Sequence, residues 1–247
     1  MRYGAAWVRP APLFLLLSLG ALAACHAPAP NAGLPASRPA AGSTGSSAPS
    51  DHAAQTRYVL DAQHCDVRVL VYRDGPMGHL GHNHVIAVHE LTGSVAVASD
   101  PLSSAFDITF PVGSMGVDDA QQRAQEGTDF SSTVDEAAIA GTRDHMLGLS
   151  LLNSNQYPTV HLQSLQLHSA DGGLQALTSI TVRDTTARVE VPIAVWNVTG
   201  DELTVSGEFD LTHSQLGLTP YSIALGALRV AERMHVRYVL VAHRRQT

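Results

Sequence analysis

The chain has 247 residues and a formal charge of −7, with 15 basic residues, none of them lysine, against 22 acidic ones. An acidic chain without a basic run makes a poor nucleic-acid binder. Two cysteines in this length exclude a disulfide-framed fold.

The first element is a leader. Arg2 and Arg9 form a positive start, and Leu13 to Ala23 is an apolar run too short to span a bilayer comfortably. Leu22-Ala23-Ala24-Cys25 resembles a bacterial lipobox, which predicts a signal peptide over 1–24 and lipidation of Cys25. That would anchor the protein to a membrane facing the periplasm. His26 rather than Asp after the cysteine favours the outer membrane. Residues 26–55 are Pro, Ala, Ser and Gly with almost nothing large to bury, and are read as an extended or disordered tether. Removal of the leader takes Arg2 and Arg9 and leaves 13 basic against 22 acidic residues, −9. Cys65 is then the one cysteine of the domain over 56–247, so no disulfide can form within it. It is read as a small buried hydrophobe.

The domain alternates. "DVRVLVYR" puts Val67, Val69 and Val71 on one face, the period-two signature of a strand. "GHLGHNHVI", residues 78–86, follows a turn at Asp74-Gly75-Pro76 and holds His79, His82 and His84. His82 and His84, two apart, point the same way on a strand. "AFDITF" repeats the alternation with Phe106, Ile108 and Phe110. Residues 132–153 break it: Val134, Ile139, Met146, Leu149 and Leu152 stand at loosely helical spacing. Ser131, Ser132 or Thr133 is the expected cap, Asp135 and Glu136 the first turn, and Gly141 an interruption that predicts a short or broken helix. Strands resume with "PTVHLQSLQLH". "RVEVPIAVW" carries Val189, Val191, Ile193 and Val195, with Pro192 marking an edge, bulge or bend. "LTVSGEFDL" carries Leu203, Val205, Phe209 and Leu211, and "RMHVRYVLVAH" is the last strand. Strands at this spacing suggest an antiparallel sandwich or barrel.

Two readings of the histidines stay open. His79, His82 and His84, joined by His145 from the helix, would suit zinc, copper or nickel, with Asp144 or Glu90 orienting a ring. Alternatively they are the polar end of a strand, since the chain has 13 histidines and some will cluster by chance. His161, His168, His213, His235 and His243 are read as background. No enzyme is indicated: the chain has no Gly-x-Ser-x-Gly, no phosphate loop and no Cys-x-x-Cys, and "HNHVIAVHE" is not His-Glu-x-x-His. The carboxylate pairs Asp118-Asp119 and Asp135-Glu136 carry no reaction by adjacency alone.

The order of landmarks over residues 56–243 resembles the YceI-like family of lipid- or polyisoprenoid-binding envelope proteins. "YVLDAQHCDVRVLVY", with Tyr58-Val59-Leu60-Asp61 and His64, resembles its opening strand pair. "GHLG" at 78–81, "LTGSVAV", "TRDHML" at 142–147, "NQYPTVHLQS" and "LTHSQLGL" resemble later elements in order. Asp184 stands in a turn where the family often has glycine. His82 and His84 replace small, hydroxylated or branched residues, a form that a subset shares together with "GLTPYSIALGALRV". The resemblance implies a mainly β fold, an eight-stranded antiparallel lipocalin-like barrel with a short helix, and a long apolar chain bound inside. On that implication the lipid-binding wall is Val67, Val69, Val71, Ile108, Phe110, Val191, Ile193, Val205 and Phe209. Function is therefore expected to be lipid binding or carriage. A histidine-based metal protein and an interaction module with a filled core are the alternatives.

Overall fold

The structure, a computed structural model, describes residues 55–245. Cys25, the leader and nearly all of the tether lie outside the described residues. The strands in chain order are β1 (Thr56–Leu60), β2 (Asp66–Asp74), β3 (His84–Val88), β4 (Thr92–Val97), β5 (Ala105–Pro111) and β6 (Gly116–Val117). Helices α1 (Ala120–Gln125) and α2 (Glu136–Leu147) follow. Then come β7 (Thr159–Ala170), β8 (Gly173–Val182), β9 (Thr185–Ile193), β10 (Val195–Thr199), β11 (Glu202–Thr212), β12 (Ser222–Ile223) and β13 (Leu228–Arg244).

All pairings are antiparallel, in the order β6-β3-β2-β13-β1-β4-β5-β7-β8-β9. β11 pairs the other side of β13, β10 pairs β11, and β12 pairs the start of β13. One edge of β13 carries β2 and then β1, end to end: Arg229–Val239 faces β2 and Ala242–Arg244 faces β1. The fold is therefore mainly β and antiparallel, but it differs from an eight-stranded closed barrel. Thirteen strands are described, and no ladder joins β9 to β11.

β9 and β11 nevertheless approach each other closely. The Ala194 N–H donates to the Ser206 carbonyl at 2.9 Å, and the Tyr238 hydroxyl donates to the Pro192 carbonyl at 2.7 Å. A Cβ at Gly207 would sit 2.3 Å from the Pro192 oxygen, so only glycine allows this approach. Pro192 lies on the terminal strand of the ladder, as its missing N–H requires.

Two cores result from the alternation. The main one gathers inward residues such as Leu203, Val205, Val189, Ala176, Leu167 and Val95. On the outer face of β2–β3, Leu70, Val85, Phe130 and Tyr72 form a second, beneath the segment that carries α1. Cys65 is partly buried, its thiol donating to the Val241 carbonyl at 3.5 Å, and burial pushes its pKa up.

The helix reading needs two corrections. α2 is short, as expected, with 12 residues, but it is unbroken, and Gly141 sits inside it. Its cap is Asp135, which accepts from the Ala138 N–H at 2.8 Å, because a carboxylate in extended conformation serves as well as a hydroxyl. Helix α1, capped by Asp119, escaped the periodicity altogether because six residues are too few to show one.

The contact of β9 with β11 and β13, which no β9–β11 ladder supports, gives a test. Tyr238→Phe should cost about 1 kcal/mol. Hydrogen exchange should quicken in β9 before β1. Equal protection of β9 in Tyr238→Phe and the unaltered protein would show that the hydroxyl does not hold β9.

Candidate functional site

Inward residues near one end of the strands do not meet. They enclose a cavity of about 580 Å³ walled by β2, β3, β5, β7, β8, β11, β13 and α2, within the usual ligand-pocket range of about 300–1,000 Å³. Its depth follows from the register. Val71, His84, Met234 and Leu211 lie side by side, then Val69, Ile86, Val236 and Phe209, then Val67 and Val88. The deeper layers are aliphatic and aromatic. The polar wall groups cluster beyond the first layer: Arg73, His82, His213, Tyr221 and Arg229, with Thr142 and His145 from α2.

Two arginines hold α2 and the segment that follows it over this space. Arg143 donates to the carbonyls of Met115 and Gly113, the latter at 2.7 Å. Arg183, at φ 56° in the two-residue turn between β8 and β9, donates to the Leu151 carbonyl at 2.9 Å and lies over the Tyr157 ring. Arg183, not its neighbour Asp184, adopts the positive φ of this turn.

His84 is held from behind. Its Nδ1 lies 2.6 Å from an Asp118 oxygen, and the other Asp118 oxygen accepts from the Val85 N–H at 2.9 Å and from Arg123 at 2.5 Å. Arg123, itself buried, also donates to the carbonyls of Asn83, Phe130 and Ser132. Burial by itself would raise the Asp118 pKa. The hydrogen bonds from His84, Val85 and Arg123 and the charge of His84 outweigh it and hold the carboxyl below the ordinary carboxylate range. An ionised Asp118 only accepts, so Nδ1 of His84 carries the proton and Nε2 is left for a ligand. His213 repeats the arrangement: Nδ1 donates to the Glu232 carbonyl at 3.1 Å, and the buried ring lines the cavity. His145 meets Tyr221 edge-on with ring centres 4.1 Å apart.

A YceI-like domain model matches residues 58–242, three quarters of the chain. The chain belongs to the YceI-like domain family. Among solved structures, BcnA of Burkholderia cenocepacia is similar at 15% identity and a TM-score of 0.55, over 74% of this chain and 99% of that one. A polyisoprenoid binding domain from Saccharophagus degradans, implicated in plant cell wall breakdown, gives 10% identity and a TM-score of 0.48 over 76% and 98%. The Campylobacter jejuni YCEI protein gives 10% and 0.46 over 65% and 85%. No curated protein matches the chain. At these identities the BcnA likeness shows the fold alone.

Of the nine wall residues expected in this YceI-like domain, the structure places Val67, Val69, Val71, Phe110 and Phe209 on the cavity. Ile108, Ile193 and Val205 are buried in the packed core and Val191 packs against it. Alternation gives the face but not the depth along the strand. His82, His84 and His145 line the same cavity, with the first two rings 6.4 Å apart. His79 is exposed in the turn Gly78–Leu80 and off the wall.

The expected metal site is corrected. Among the described residues no three His, Cys, Asp or Glu side chains come together to hold an ion. The His82 and His84 rings stand 6.4 Å apart, and His145 packs on Tyr221. The filled-core alternative is corrected as well, since the interior holds a cavity. Sequence reasoning missed His213, Tyr221, Met115 and Met234 on the wall, and the Asp118–Arg123 pair behind it. "GVDDAQQR" carried a usable signal: a helix cap at Asp119 leaves its neighbour Asp118 outside the helix, free to face the sheet.

The buried pair has a pH signature. Asp118 is lowered in the folded protein, so its contribution is full above the unfolded carboxylate value of about 4 and is lost as pH falls through the lower folded value. Asp118→Asn should flatten the acid limb of the stability curve. Asp118→Ala, which strands the buried Arg123 charge, should cost about 3–5 kcal/mol at neutral pH. Urea titrations from pH 3 to 7 decide, and an unaltered acid limb in the Asn variant would refute the assignment.

Proposed function

We propose that this YceI-like domain binds a single-chain amphipathic lipid of isoprenoid or fatty-acyl type, its chain in the cavity and its polar head against His84 and His213. The observation that carries this reading is the one-ended polarity of the cavity: aliphatic at depth, with its histidines, tyrosine and arginines at the rim. Apolar area buried by the chain supplies affinity, and a few convergent polar groups fix its direction. Both rim imidazoles have Nδ1–H fixed by a protein acceptor. In the neutral state each therefore offers Nε2 as an acceptor, which selects a head that donates, such as a hydroxyl. Polyisoprenoid is the ligand class named for the Saccharophagus degradans domain, while here the choice of an apolar chain rests on the cavity. A binding and carrying role, without catalysis, completes the reading.

We propose also that Cys25 bears the anchor and that the domain works at the outer membrane, facing the periplasm. Cys25→Ser should move the protein from the membrane to the soluble envelope fraction, and an unchanged membrane fraction would remove the anchor.

Val69→Trp tests the cavity. Val69 lies in the middle layer between Ile86 and Val236, so an indole there fills the space a chain would use. Native mass spectrometry should show lipid on the unaltered protein and little on the variant. The thermal midpoint should fall by only a few degrees, since overpacking typically costs about 1–3 kcal/mol. Unaltered protein that carries no extractable lipid and takes up no apolar probe would overturn the reading.

A further inference from the structure

The cavity rim carries aliphatic side chains that the fold leaves in water. Leu225 is wholly exposed, Leu80 is 58% exposed, and Ile223 and Met77 are each over 40% exposed. They come from two loops that are tied together. The Met77 N–H donates to the Ala227 carbonyl at 2.8 Å, and Ile223 pairs with Leu228 where β12 meets β13. The same loops give Gly81, Tyr221, Leu228 and Val230 to the cavity wall. The exposed tips therefore continue the apolar lining outward past the mouth.

The backbone beneath them adds an independent observation. Ala224 and Leu225 both take positive φ, 50° and 55°, just before Gly226 at 88°. L-residues resist the left-handed region, and a turn needing only that geometry is served by Gly or Asn. Here leucine occupies the strained position and is held fully in water. Strain and exposure together make no sense for a loop that stays in solvent, and local strain of this kind collects at functional surfaces.

We infer that these tips enter the surface of a lipid bilayer, so that a ligand passes between bilayer and cavity without crossing water. The inference rests on the lipid-binding reading and names where the lipid comes from. The side-chain order fits an interface: aliphatic tips outermost, with His79 beside Leu80 and Arg73 and Arg229 on the rim ends of β2 and β13 to meet the headgroups. Arg229 is paired with Asp74 at 2.7 Å, so one of the two arginine charges is already balanced. Binding therefore persists on neutral lipid and rises modestly with anionic lipid.

The test uses the full chain with Cys25→Ser as the common background, so that every comparison differs only at the rim. Adding Leu225→Gly removes the aliphatic tip and the strain at once. The fraction bound to phosphatidylcholine vesicles should fall about tenfold, while the thermal midpoint stays level or rises; a merely structural leucine would not give that combination. Leu225→Trp should be quenched by brominated phosphatidylcholine, whereas Val198→Trp, on β10 paired with the far end of β11, should not. Equal vesicle binding with and without Leu225, or equal quenching at both tryptophans, overturns the proposal. An apolar probe delivered from cyclodextrin reads the cavity without vesicles. A chain that takes up that probe but ignores vesicles keeps the lipid-binding function and loses this inference.

Discussion

β13 is the constraint on which the other elements depend. Its 17 residues run from the cavity rim to the opposite end of the sheet, a length of roughly 55 Å. β11 and β12 pair along one edge, and β2 and β1 along the other. Two branches of the sheet therefore diverge from one strand: β2–β3–β6 from its upper part and β1–β4–β5–β7–β8–β9 from its lower part. An irregularity makes this possible. Between Val230 and Met234 the strand advances four residues while β2 advances two, from Arg73 to Val71. A bulge of this kind bends and twists the strand that carries it. Below it, β13 contributes regular inward residues; above it, the chain leads into the rim loops.

The second core has a directional role. Leu70, Val85 and Phe130 pack on the outer face of β2–β3, and Arg123 binds three backbone carbonyls around them. The polar centre of that packing is Asp118, whose N–H donates to the Val85 carbonyl while its carboxylate receives the Val85 N–H. The side chain thus extends the β3–β6 ladder by one step at φ 55° and turns its other oxygen to His84. A histidine at a strand end would otherwise choose among rotamers. Here its ring is fixed from outside the cavity by groups that never touch a ligand, so precision at the site rests on a core away from it.

Much of the strand pattern was legible in the sequence because a half-buried strand writes period two directly into its residues, as in Val67, Val69 and Val71 or Leu203, Val205 and Phe209. The depth of each residue was not. Val205 and Phe209 lie on one face of β11, yet the first fills the packed core and the second borders the cavity. That difference depends on where partner strands end, which no single segment records. The histidines divide in the same manner. The two-residue spacing of His82 and His84 placed both on the cavity side, but the partner of His84 is Asp118, 34 residues away and just before a short helix with no periodic signal. His213 looked like one of many scattered histidines, and only the turn after β11 sets it against the same space. Barrel closure is topological and lies beyond local pattern: the resemblance implied it, whereas β9 and β11 meet here through Pro192, Gly207 and Tyr238 rather than through a ladder.

Empty apolar space carries a stability penalty, because its lining loses packing partners. The fold confines that loss to one end. In the lower half Leu203, Ala176 and Thr178 are almost wholly buried, and the strands of β1, β4, β8, β9 and β11 converge there. In the upper half the inward positions are valines and an isoleucine on β2 and β3, too short to fill the gap, and α2 crosses it, tied by Arg143 to the Gly113 carbonyl and packed on the core through Met146. Stability is thereby assigned to one end of each strand and binding to the other. The same alternation serves both, and side-chain size together with the hold on α2 decides whether an inward residue closes the core or waits for a ligand.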